Sequence, residues 1–215
     1  MKVIDLFEDN SFDEMSEQDQ IQMVTENPGM LRYINDPSEN VQLAAVKQDP
    51  EELQYIVRKK IPQLEKVQIA AVQTDGEVIR FIKNPSENVQ RAAVQNNGYA
   101  LDDIVELGIN PSYVVQKLAI SESCWAIQFI KNPSDELQKM AVSIDGYVLH
   151  FLIQNNVKLS KNIITLGLNN ETLIEQKHLF DYIVKLVFPT SSLLVNKWIR
   201  FGDRLRGRMN NLLTK

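Results

Sequence analysis

Asp102, Asp103 and Glu106 set three carboxylates within five residues. Carboxylates crowded in this way can hold a metal, share a proton, or attract a cation from another molecule. A metal would need more donors, and neither a His nor a further carboxylate stands beside them in the chain, so the cluster points to an Arg or Lys on a partner. The plainer alternative is that the added turn in this unit lets Ile104 take the apolar position in place of an aromatic. His150 and His178 stand alone, outside any His-Glu-x-x-His pattern, and read as ordinary surface or boundary residues. Cys124 follows Ser123 at a turn position with no His near it, so it lacks the base that a nucleophilic thiol requires. The sequence has no glycine-rich phosphate loop and no paired-cysteine site, and Asn170-Glu171-Thr172 is a glycosylation sequon that is inert in a cytosolic protein. No enzyme, no cofactor and no metal are expected.

Two other sets of residues are spaced for binding. Gln42, Gln68, Gln90, Gln116 and Gln138 each follow an apolar anchor by one residue. Stacked units would align them, either as amides bonding the neighbouring unit's backbone or helix end, or as a polar stripe that receives an extended ligand. Near the C-terminus Leu194, Trp198, Phe201, Leu205, Met209 and Leu212 follow steps of three and four, with Arg200, Arg204, Arg206 and Arg208 largely off that stripe. This helix can cap the fold, join two copies as a homodimer through the stripe, or touch nucleic acid or a membrane with its arginines. Gly202 and Gly207 weaken it as an isolated helix.

What positions these residues is a repeat. Asn84-Pro85-Ser86-Glu87-Asn88-Val89-Gln90-Arg91-Ala92-Ala93-Val94 has close copies beginning at Asp36 and Asn132, 48 residues to either side. Looser copies centre on Val67 and Val115, so the steps between anchors alternate between 26 and 22; one more step back reaches Asp19, and one forward reaches Ile163. Turn signals recur eight residues after the anchors (Asn27-Pro28, Asp49-Pro50, Asp75-Gly76, Asn97-Gly98, Asp145-Gly146) and an aromatic recurs after fourteen (Tyr33, Tyr55, Phe81, Phe129, Phe151). Asp103 alone breaks the aromatic rule. Self-similarity at this period marks a solenoid or array.

Each unit reads as a helical hairpin. Asp36, Asn84 or Asn132 is expected as N-cap, with proline at the first helical position and Glu39, Glu87 or Asp135 at the third. Val41, Ala44 and Ala45 share one face at helical spacing, and a second helix carries Val78, Ile79, Phe81 and Ile82. So short a pair cannot bury its apolar face alone, and stacking is required. The longer steps should make every second connection protrude on one edge, around residues 58–61, 107–110 and 155–158. The fold class is therefore all-α, an α-solenoid of about six to seven hairpins with capping segments at both ends.

The combination Asn-Pro-Ser-Glu-x-Val-Gln-x-Ala-Ala-Val with Asp/Asn-Gly-Tyr resembles a short bacterial and prophage helical repeat of unknown function, and more distantly the HEAT-like and leucine-rich-repeat-variant solenoids, over about 19–154. The resemblance implies a right-handed stack of helix pairs, a bacterial or phage origin and a binding role; by that analogy the chain is a regulator or counter-defence factor that occupies a host protein.

Charge and length set the outer bounds. Residues 1–188 hold 17 Lys and Arg against 27 Asp and Glu, and residues 189–215 hold 6 against 1, which together give the net -5. An acidic body repels phosphate backbones. The single cysteine excludes an intrachain disulfide, and the absence of a secretory signal or membrane span places the chain in the cytoplasm of a bacterial host. The expected organisation is an acidic N-terminal cap at 1–18, a repeat body at 19–178 and a C-terminal helical segment at 179–215. The expected partner is another protein or a peptide segment. Nucleic acid, bound through Arg200, Arg204, Arg206 and Arg208 with Trp198, is the alternative; a HEAT-like enzyme acting on bases, with Trp125 or Trp198 stacking near Asp102 or Asp103, is opposed by the acidic body.

Overall fold

The computed structural model of the chain describes residues 12–62 and 64–213, with side chains as far as residue 206. Val3, Ile4, Leu6 and Phe7, expected to cap the N-terminal end, lie outside these residues. Among the described residues every regular element is helical. The fold divides into two compact units, Met1–Phe129 and Ile130–Lys215, and the division falls inside the stretch read as one repeat body.

In chain order the first unit contains α1 (Glu17–Glu26), a 3-10 helix (Pro28–Tyr33), α2 (Glu39–Gln48), α3 (Glu52–Arg58), α4 (Glu65–Thr74), a 3-10 helix (Gly76–Phe81), α5 (Glu87–Asn96), α6 (Ala100–Glu106), α7 (Tyr113–Glu122) and a 3-10 helix (Cys124–Phe129). Two rows result. In one, α1 packs on α2, α2 on α4, α4 on α5 and α5 on α7; in the other, the first 3-10 helix packs on α3, α3 on the second, the second on α6 and α6 on the third. Val41, Ala45 and Val46 are fully buried, as are Val89, Ala93 and Val94, while Ala44 is only half-buried. Ala45, Ala71, Ala93 and Ala119 are fully buried along α2, α4, α5 and α7, and so small a side chain favours close approach of neighbouring helices.

The N-cap lies two residues later than expected. Ser38, Ser86, Ser112 and Ser134 are extended, and each Oγ accepts the backbone N–H three residues on, at 3.3–3.4 Å. Proline therefore stands outside the helix, and Glu39, Glu87 and Asp135 occupy its first position. Three of these serines also bond backward: Ser38 donates to Glu17, Ser86 to Glu65 and Ser112 to Glu87. Asn40 and Asn88 donate to the same carboxylates as the serines two residues before them. The Ser-Glu-Asn triplet thus caps its own helix and ties it to its neighbours. At α4 the cap position holds Leu64, which makes no such bond, and Lys66 pairs instead with Glu39 at 3.4 Å.

The second element of each repeat, read from the sequence simply as a helix, alternates in kind. Repeats with the 26-residue step carry the α-helices α3 and α6, and those with the 22-residue step carry six-residue 3-10 helices. A 3-10 helix rises about 2.0 Å per residue against about 1.5 Å, so it spans the same layer with fewer residues. The longer elements end in a left-handed residue, Lys60 (φ 58°) or Gly108 (φ 78°). Ile61 N–H then returns to the Ile56 carbonyl and Ile109 N–H to that of Ile104, a Schellman-type closure that satisfies the helix end.

The second unit contains α8 (Asp135–Ile144), α9 (Tyr147–Gln154), α10 (Lys161–Leu168), α11 (Glu171–Glu175), α12 (Lys177–Val187) and α13 (Ser192–Leu213). Helix α9 closes in the same way at Asn156 (φ 54°), with Val157 N–H on the Leu152 carbonyl. Helix α8 packs on α9 and α10, α12 on α11 and α13, and α11 on α13. Asp135, one methylene shorter than glutamate, starts α8, and a cavity of about 250 Å³ is lined by both it and Ser160 at the start of α10. The last helix seats Gly202 against Phe180, where a Cβ would come within 2.8 Å of the ring. Arg206 lies inward beside it, donating to the Ile174 carbonyl at 2.6 Å with its guanidinium 5.6 Å from the Phe180 ring centre. Asp203 accepts from both Lys177 and Arg206 at 2.7 Å.

Candidate functional site

The glutamine ladder is built into the repeat. Gln42, Gln90 and Gln138 are buried, and Gln68 and Gln116 are half-buried. In Gln42, Gln90, Gln116 and Gln138 the amide nitrogen donates to the carbonyl of the proline five residues back, at 2.8–2.9 Å. Gln42 donates in addition to Pro62 of the next repeat at 3.1 Å. For Gln68 the corresponding residue is 63, outside the described residues. These amides hold the proline turn against its own helix, with one bond across to the neighbour. Gln20 is a further member: it follows the Asp19 anchor by one residue, is buried, and donates to the Phe12 carbonyl at 2.8 Å.

The other row of the first unit carries a line of partly exposed aromatics. Tyr33 and Tyr99 are each 43% exposed, Tyr55, Phe81 and Phe129 are half-buried, and they come from five successive second-row elements. The Tyr55 hydroxyl donates to the Arg32 carbonyl, Tyr99 and Phe129 meet edge to face at 6.0 Å, and Arg80 stands 4.8 Å over Phe81. Charges run between the rings: Arg32 pairs with Glu52 at 3.4 Å, and Arg80 with Glu51 at 2.9 Å and Glu77 at 3.6 Å. Burial pushes the Glu52 carboxyl up, with Arg32 opposing. Tyr33, Tyr55, Phe81 and Phe129 were visible in the sequence as periodic aromatics and Tyr99 was not; the partial exposure of all five comes from the structure.

Asp103 sits within this row, on α6. Ile104 is fully buried and takes the apolar position, while Asp102 and Asp103 are half-buried and Glu106 is exposed. Burial raises the Asp103 carboxyl from 3.8 to about 6; Arg80 opposes this, and Glu77, Asp102 and Glu106 reinforce it. Because the folded state holds this proton more tightly than the unfolded chain, stability present at pH 3.8 and below is lost as pH rises toward 6. After solvent screening the loss is about 1 kcal/mol. Asp103→Asn should therefore stabilise the protein by about that amount at pH 7.5 and by nothing at pH 4, read from urea unfolding at both.

In the second unit the residues expected to make contacts separate into two faces of α13. Trp198, Phe201 and Leu205 are half-buried, with Trp198 edge to face on Phe201 at 5.5 Å, and Leu194 is 39% exposed. Arg200 and Arg204 are exposed, and the Arg208 side chain lies outside the described residues. With Leu193, Lys197 and Asp203, Arg200 and Arg204 line a groove of about 710 Å³. Arg206, which sequence spacing placed with the outward arginines, is instead spent on the interior.

His150 lies edge to face with Tyr182 at 5.8 Å, and burial lowers its pKa, which favours the neutral ring. Cys124 is buried. Among the described residues no three His, Cys, Asp or Glu side chains converge as a metal site, and no helix is long and apolar enough to cross a membrane. The chain matches no family model, no curated protein and no solved structure.

Proposed function

We propose that the chain is a non-enzymatic, protein-binding α-solenoid whose contact surface is the second-row face of the first unit. The observation that carries this is the line of partly exposed Tyr33, Tyr55, Phe81, Tyr99 and Phe129, interleaved with Arg32 and Arg80. Tyrosine and arginine are enriched where binding energy concentrates, because each combines large contact area with a polar end. Row-on-row packing in the first unit supports the solenoid arrangement, and the sequence register extends the same repeat through α8 and α10 to a count of six to seven. The resemblance to bacterial and prophage repeats extends the proposal to a regulator or counter-defence factor that occupies a host protein.

The test is capture from nuclease-treated bacterial lysate by the tagged protein, compared with the Tyr33→Ala/Tyr99→Ala variant. A stoichiometric protein held by the parent and reduced at least tenfold by the variant is the expected result. Equal capture by both, or nucleic acid as the sole ligand in untreated lysate, would overturn it.

A further inference from the structure

The outward face of α13 is not used by the fold. Leu193, Lys197, Arg200 and Arg204 stand at i, i+4, i+7 and i+11, a single stripe about 16 Å long on one side of the helix. Leu193 is 79% exposed, and no ion pair among the described residues joins Lys197, Arg200 or Arg204 to a carboxylate. Asp203, the acidic residue in the groove, is already engaged by Lys177 and Arg206. The groove therefore offers three uncompensated cations beside an exposed leucine.

We propose that this groove binds the acidic surface of a second copy of the chain, head to tail. Charge complementarity selects the occupant: residues 189–215 carry a net +5, whereas residues 1–188 carry -10. Two α13 grooves face to face would set cation against cation, so the contact joins unlike surfaces. The same chain presents the matching chemistry at Asp102 and Glu106, flanked by Tyr99 at 43% and Val105 at 38% exposure. A phosphate polymer fits less well. The acidic remainder of the chain repels its extended charge. Membrane insertion is opposed by the docking of α13, whose Gly202 is buried on Phe180.

Sedimentation of the nuclease-treated full chain at about 0.05 M and about 0.5 M salt tests the proposal. The expected result is concentration-dependent association at low salt that weakens at high salt. Arg200→Glu/Arg204→Glu should weaken it at least tenfold at unchanged melting temperature, whereas Arg200→Lys/Arg204→Lys should retain it. A monomer at every concentration in low salt, association indifferent to charge reversal, or association that nuclease abolishes would overturn it.

Discussion

Gly76→Ala is expected to destabilise the first unit by about 2–3 kcal/mol, because the added methyl is placed against backbone that cannot yield. A Cβ at Gly76 would lie 2.6 Å from the Ala93 carbonyl oxygen and 3.2–3.3 Å from Asn97 and Asn96. That carbonyl accepts the Asn97 N–H at 2.9 Å as the closing bond of α5, so it can move only with the helix. Gly76 N–H in turn donates to the Asn96 side chain at 2.7 Å, which pins the turn to the same place. Relief would require α5 to shift away from the 3-10 helix, loosening a contact that Val78 and Ile79 bury completely. The melting temperature should fall by roughly 5–10 °C, given about 2–4 °C per kcal/mol in a chain of this size. Gly29→Ala is the control: its nearest neighbour would stand at 3.4 Å, so the change should be neutral or slightly stabilising. Equal losses in the two variants would show that close approach does not account for the Gly76 effect.

The second large effect is expected at Phe180. Its side chain is fully buried, and it is the surface on which Gly202 rests and over which Arg206 lies. Phe180→Ala should cost about 3–5 kcal/mol, the usual range for an aromatic removed from a packed interior. The loss should be local as well as global. Helix α13 retains the Arg206 bond to Ile174 and the Asp203 pair with Lys177, but it loses the apolar floor that makes Arg206 burial tolerable. Hydrogen exchange along α13 should therefore accelerate more than along α8. Leu194→Ala, on the 39% exposed side of the same helix, should change stability by no more than about 0.5 kcal/mol.

The repeat register was legible because each of its marks answers to a separate requirement: a helix start at Ser-Glu, small residues where helices touch at Ala45 and Ala93, and a glycine where a turn meets the next helix at Gly76. The cap was misplaced by two residues because Asp36 and Ser38 are both good N-caps. Their choice depends on which oxygen reaches the third N–H, and here Ser38 Oγ does so. The 3-10 helices were not legible from periodicity, since over six residues a period of 3.0 cannot be told from 3.6. The signal was in the alternating step length. Arg206 was hidden for a different reason: only the position of Phe180, 26 residues earlier, turns it inward. The exposure of Tyr33 could not be read either, because an aromatic at a recurring place in the repeat looks the same in a core as on a binding face, and Tyr99 lies outside that recurring place.

The left-handed residues at 60, 108 and 156 set the grain size of the chain. One repeat with a 3-10 helix and one with a left-handed closure form a tile of 48 residues, and only whole tiles bring like ends together. Removing residues 37–84 joins Asp36 to Pro85-Ser86-Glu87, recreating an Asp-Pro-Ser-Glu junction with its serine cap. Removing 22 residues would instead place two second-row elements of the same kind side by side. Variation in length along such a lineage should therefore come in steps of 48, as a staircase and not a slope.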